Sequence, residues 1–233
     1  MSNFSILLVG ACTITGFHTA PTAALPILIK RAFRNNSAVD LSITSNTSCV
    51  HNQDLRAMYA VLEAELELKQ YDIVILQFFN MNLLKIANET DAGKWDKRLF
   101  KYLRSIVKRA PEEFGKKLYT RFSGRFIESD YKGKLCKCVE LVHRHNQNSY
   151  VLLMTPIAPT SKKTWFASQV FYQHYQLMYE IANYYSIDVV DFYTPLLSFS
   201  PCEVYQEDGT HLTDKGQKIV GEAIVGKLAE IIN

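Results

Sequence analysis

The chain has no apolar run approaching the ~20 residues that a membrane-crossing helix requires, so a membrane span is not expected. It also has little excess charge: 26 Lys and Arg stand against 23 Asp and Glu, a formal net charge of +3. Phosphate binding needs a clustered basic face, and so small a balance gives no reason to expect nucleic acid as a partner. Cysteine is sparse and odd in number, with Cys12, Cys49, Cys136, Cys138 and Cys202 at irregular spacing. That excludes a regular disulfide framework and points to reduced thiols in a cytoplasmic protein. Val9-Gly10-Ala11-Cys12 has the outline of a lipoprotein cleavage box. No Lys or Arg precedes it, however, and the apolar run Ile6 to Val9 is far shorter than a signal-peptide core. Repeats, low-complexity tracts and linker-like shifts in composition are missing as well. What remains is an ordinary globular composition, 48% hydrophobic and 21% charged over 233 residues. That length suits one large domain spanning residues 1–233.

Strand-like and helix-like segments alternate along the chain, the pattern of an α/β protein with a parallel sheet covered on both faces. Five short apolar runs suit buried strands: Ser5–Val9, Val39–Thr44, Asp72–Gln77, Tyr150–Met154 and Ile187–Val190. Helical stretches lie between them. Ala23–Phe33 is one, and Asp54–Lys69 carries Leu55, Met58, Leu62 and Leu66 on one face. Trp165–Tyr185 bears a core stripe of Phe171, Tyr175, Met178 and Ala182, and the last helix runs over Asp214–Ile231 with Asp214 as its N-cap. Cys136-x-Cys138 and His143-x-His145 have metal-ligand residue types. Tyr131–His145 reads as helical, though, and residues two apart on a helix point about 200° apart. Neither a metal nor another cofactor is expected.

Lys94 to Lys134 departs from this layout, with thirteen Lys or Arg and five Asp or Glu between the third and fourth strands. Leu99, Leu103, Ile106 and Val107 give it a normal apolar stripe. Its simplest reading is a solvated helical face; the functional alternative is a basic cap that attracts an acidic carrier or anionic substrate.

Three places carry chemistry, and all lie where strands should end, the edge at which open parallel sheets bind ligands. Gly10-Ala11-Cys12-Thr13-Ile14-Thr15-Gly16 follows the first strand. The glycine permits a sharp turn, and turn N–H groups there would lower the Cys12 thiol pKa. Against this stands the commoner role of a cysteine as a small buried hydrophobe. Asp208-Gly209-Thr210-His211 precedes the final helix. A histidine can act there as base while a carboxylate three residues away fixes its tautomer. Gln77-Phe78-Phe79-Asn80-Met81-Asn82 follows the third strand. A side-chain amide in it can donate to a developing oxyanion, or it can simply satisfy turn backbone groups.

In order and spacing these blocks resemble the SGNH or GDSL-like hydrolases. That resemblance implies a three-layer flavodoxin-like fold and esterase, lipase, thioesterase or acyltransferase activity. Gly10 and Gly16 match the glycines of the family's GDS-x-x-x-G block, and Cys12 falls on its nucleophilic serine. Asp208 and His211 match its D-x-x-H block, continued by Leu212-Thr213-x-x-Gly216, and Leu152–Pro159 is similar to its fourth-strand region. The departures are specific. Ala11 replaces the acidic residue, and Ser45–Val50 lacks the glycine whose N–H joins the oxyanion hole, leaving the backbone of Ser48 or Cys49 for that role. Phe79-Asn80-Met81-Asn82 lacks the third-block glycine, so Asn80 is the preferred oxyanion donor, with Asn82 in reserve.

The resemblance therefore implies Cys12 as nucleophile, His211 as general base and acid, and Asp208 as its orienter. The substrate would be a small-molecule ester or thioester. A thioester intermediate accepts amines and thiols more readily than an oxygen ester does, so acyl transfer is the first alternative to hydrolysis. A degenerate ligand-binding pseudoenzyme is the second, although retention of both Asp208 and His211 argues against it.

Overall fold

A computed structural model describes residues 2–10, 12–16, 18–34, 39–47, 55–77, 132–156, 164–209 and 211–232. In chain order these form β1 (Ser2–Val9), α1 (Cys12–Thr15), a 3-10 turn (Pro21–Ala23), α2 (Leu25–Phe33), β2 (Val39–Asn46), α3 (Leu55–Leu68) and β3 (Ile73–Gln77). Then follow α4 (Gly133–His145), β4 (Tyr150–Met154), α5 (Thr164–Tyr185) and β5 (Asp188–Val190), and finally α6 (Tyr193–Leu196), α7 (Pro201–Val204) and α8 (Asp214–Ile232).

The five strands form one sheet in the order β2-β1-β3-β4-β5, with every neighbouring pair parallel. Alternate strand residues face opposite sides. Ile6, Leu8, Ile75, Leu152 and Met154 pack under α2 and α8. Leu7, Val9, Val74, Leu76, Val151 and Leu153 pack under α3, α4 and α5. Because helices cover both faces, the central strands are uninterrupted apolar runs, and Ile6 through Val9 are completely buried. This is the three-layer flavodoxin-like arrangement expected from the sequence. Its strand order reverses between β1 and β3, so the crevice beyond their carboxyl ends is where such a sheet takes a ligand.

Several boundaries differ from the sequence reading. β1 starts at Ser2 and β2 runs on to Asn46, because parallel pairing from Ser2↔Val39 to Val9↔Asn46 satisfies backbone groups even where side chains are polar. Asp72 lies just outside β3, where its carboxylate accepts bonds from the Ser5 N–H and hydroxyl, both at 2.7 Å. The cap of α8 is Thr213 rather than Asp214: its hydroxyl accepts the Gly216 N–H at 3.2 Å, three residues on. The four-residue helices α6 and α7 are too short to show a period in the sequence.

Candidate active site

Two arms from opposite ends of the chain meet beyond the β1 and β3 termini. The first begins at Gly10, whose N–H reaches the Asn46 carbonyl at 3.3 Å and extends the β1–β2 ladder by one step. A Cβ at Gly10 would stand 2.6 Å from Gln77 Cβ and 2.8 Å from Ile14 Cδ1, so only glycine lets the chain turn this tightly against β3. Ile14 is fully buried and pins α1 into the core, leaving Cys12 half-buried at its start. Gly16, at φ +67°, ends the turn in the left-handed region.

The thiol of Cys12 is shaped by opposing influences. Burial pushes its pKa up, the N–H groups of Cys12 and Thr13 pull it down, and the Asp208 carboxylate pushes it up further. The net direction is upward. This corrects the expectation that turn N–H groups would leave Cys12 a low-pKa thiol: those groups are present, but desolvation outweighs them.

The second arm is a hairpin between α7 and α8. Tyr205 and Leu212 form an antiparallel bridge, both are buried, and the Gln206 N–H donates to the His211 carbonyl at 2.8 Å. Gly209 turns the tip at φ +68°. The Asp208 carboxylate grips His211 twice, accepting its backbone N–H at 2.9 Å through Oδ1 and pairing with ring Nδ1 through Oδ2. That grip presents Nε2 as the nitrogen on the opposite side of the ring. Gly216 lets the helix start lie against the hairpin, since a Cβ there would meet the Val204 carbonyl at 2.3 Å.

Contacts between the arms join residues nearly the whole chain apart. Asp214 Oδ1 accepts the Ala20 N–H at 3.0 Å. The His18 and His211 rings sit edge to face, 6.4 Å between centroids and 85° between planes. Below them, Gly221 of α8 leaves room for Leu28 of α2, at 2.9 Å from where a Cβ would lie. His18 and the bridging role of Asp214 were not read from the sequence. A histidine two residues past a loop glycine at the same strand end was the available signal for the first.

The structure thus gathers Asp208 and His211 on one hairpin and brings the Asp208 carboxylate within electrostatic reach of Cys12. Asn80, Asn82, Ser48 and Cys49 lie outside the described residues, as does the basic segment except for Lys132 to Lys134, where Lys132 pairs with Glu180 at 3.1 Å. Cys136, Cys138, His143 and His145 all sit on α4, and burial pushes the Cys138 thiol up to about 12. Among the described residues no three His, Cys, Asp or Glu side chains gather as a metal set.

Comparison of the whole architecture with solved structures identifies the fold. A member of the lipolytic protein G-D-S-L family from Veillonella parvula is similar over 97% of both chains, with a TM-score of 0.62 at 13% identity. This is the SGNH-hydrolase fold. A Clostridium thermocellum family 3 carbohydrate esterase is similar over 98% of this chain and 100% of its own, at TM-score 0.62 and 11% identity. A psychrotrophic esterase from Pseudoalteromonas is similar over 98% of each chain, at TM-score 0.59 and 13% identity. No family model matches the sequence, and no curated protein matches it either. At such identities the likeness establishes the SGNH fold and carries no catalytic residue across.

Proposed function

We propose that the protein is an SGNH-type esterase or thioesterase that works through a thioester at Cys12. The observation that supports this most is the Asp208-gripped ring of His211 beside the thiol-bearing arm at the β1/β3 switch point. In this reading the thiol passes its proton to His211 Nε2 as sulfur attacks the acyl carbonyl. The tetrahedral oxyanion takes hydrogen bonds from the Cys12 N–H and from Asn80, with Asn82 in reserve and the backbone N–H of Ser48 or Cys49 as a further donor. On collapse the leaving alcohol or thiol takes the proton from His211, and the acyl group stays on sulfur. Water then gives a proton to His211 and attacks the thioester, releasing the acid and restoring the thiol. Asp208 holds the tautomer throughout and stabilises the imidazolium.

A thiol at this position favours a second ending, in which an amine or thiol acceptor replaces water. Intact-mass trapping with a panel of activated esters and acyl thioesters tests both readings. One acyl adduct per chain is expected, absent from Cys12→Ala; added acceptor that drains the adduct faster than buffer marks transfer. A protein that binds the panel but forms no adduct and releases no product would instead be a ligand-binding pseudoenzyme.

Cys12, Cys136, Cys138 and Cys202 are free thiols, which supports a reducing, cytoplasmic compartment. No helix among the described residues is long and apolar enough to cross a membrane. The basic stretch Lys94–Lys134 would draw an acidic carrier or anionic substrate, so KM should rise with salt as screening acts over ~10 Å at 0.1 M. A salt-independent KM would remove that partner.

A further inference from the structure

We propose that His18 is a positioning residue that holds the His211 ring in register with Cys12, a role that rests on the thiol-nucleophile reading above. Among the described residues only His18 and Ser186 are non-glycine residues at positive φ, and His18 stands at +57°. Histidine enters that region more easily than most residues, but the conformation still persists only where neighbours fix it. Here they fix it from both sides. The Thr19 N–H and hydroxyl both bond the Gly16 carbonyl, and the Ala20 N–H bonds Asp214 of the opposite arm.

The result of this backbone shape is specific. It carries an exposed imidazole across the gap between the arms and sets it edge to face with His211, inside the 4.5–7 Å range of aromatic pairs. Asp208 grips His211 through Nδ1 and the backbone, both from within the same hairpin. His18 supplies the restraint from the other arm, the one that carries Cys12. A thiol–imidazole couple depends on that register, because small displacements of reacting groups are costly. The competing account is an incidental surface contact, in which His18 merely tolerates its turn.

The rate of Cys12 alkylation by iodoacetamide at pH 7.5, read by peptide mass spectrometry, separates these accounts without a known substrate. Four proteins are compared: wild type, His211→Ala, His18→Gly and His18→Phe. Glycine keeps the left-handed backbone and removes the ring; phenylalanine restores a ring edge without its nitrogens. We expect His18→Gly to slow Cys12 about tenfold, toward the His211→Ala rate, with Cys202 and the circular dichroism unchanged. His18→Phe should recover most of the loss. A His18→Gly protein that reacts at the wild-type rate overturns the proposal, and so does a His18→Phe protein as slow as His18→Gly with the same melting temperature, since an unstrained phenylalanine ring would then pack there without effect. If His211→Ala slows Cys12 while His18→Gly does not, only the positioning role falls. If His211→Ala leaves Cys12 unchanged, the nucleophile reading fails and the positioning role goes with it.

Discussion

Among the described residues between Gly10 and Ala20, backbone conformation sets the shape of the chain. A glycine is jammed against Gln77, another lies at φ +67°, and a histidine is held in a left-handed turn. Between Tyr205 and Asp214 side chains do that work: two buried residues bridge the hairpin, and one carboxylate holds both the N–H and the ring of His211. The first arm gives Cys12 a position but an unhelpful environment, since burial disfavours its thiolate. The second gives His211 a partner and an orientation. In the proposed chemistry the arms are complementary: a thiol that stays protonated at rest needs a base that is already aligned.

The largest effects should come from breaking that dependence. His211→Ala is expected to lower kcat/KM by about 10²–10⁴-fold, the range for a positioned acid–base group. Asp208→Asn should fall within the same range, because its amide would face Nδ1 with a donor and favour the wrong tautomer. Steady-state kinetics on whichever ester or thioester labels Cys12 supplies the measurement. An Asp208→Asn enzyme with full activity would show that the hairpin is only a structural clasp.

Asp208 and His211 are three residues apart, so all that fixes their pairing lies within one short stretch, and D-x-x-H was legible. The sheet was legible for a similar reason: strands buried on both faces leave continuous apolar runs. The acidity of Cys12 was not. Turn N–H groups are a local property and were anticipated, whereas burial depends on the packing of Ile14 and the strands around it, and it reverses the direction. The Ala20–Asp214 bond joins residues 194 positions apart and leaves no periodic trace. Nor does the polar start of β1, which is held by pairing rather than by its side chains.

Intermediate effects should follow from filling the close approaches that shape each arm. Gly10→Ala places a methyl 2.6 Å from Gln77 Cβ, and Gly216→Ala places one 2.3 Å from the Val204 carbonyl. Overpacking of this kind costs about 1–3 kcal/mol, which for a chain of this size lowers Tm by roughly 2–4 °C per kcal/mol. Gly226 is the control: it is exposed on α8 with nothing within 4 Å, so Gly226→Ala should stabilise the helix by about 0.5–1 kcal/mol. Thermal melts of the three variants decide the matter. Equal behaviour of Gly216→Ala and Gly226→Ala would mean that the hairpin does not rest on α8 as described.

The smallest effect is the most direct test of how the two arms divide the work. With its pKa raised in the folded protein, the Cys12 thiol carries less thiolate at any given pH than a free thiol with its value near 8.5. Cys12 therefore contributes fully to stability below the unfolded-state value, and that contribution is lost as pH rises through the folded one. Alkylation of Cys12 in the His211→Ala protein, with the base removed, should therefore keep climbing beyond pH 9 instead of levelling off. In the wild type, proton transfer to His211 should lift the neutral-pH rate above that of the variant. Cys138, pushed up to about 12 by burial in the core, should stay unmodified across the same range while the protein remains folded. A plateau for Cys12 below about pH 8.5 in His211→Ala would show that the N–H groups of its own arm activate the thiol without help. The sequence-based expectation of an acidic thiol would then hold after all, and the hairpin would matter only for later proton transfers.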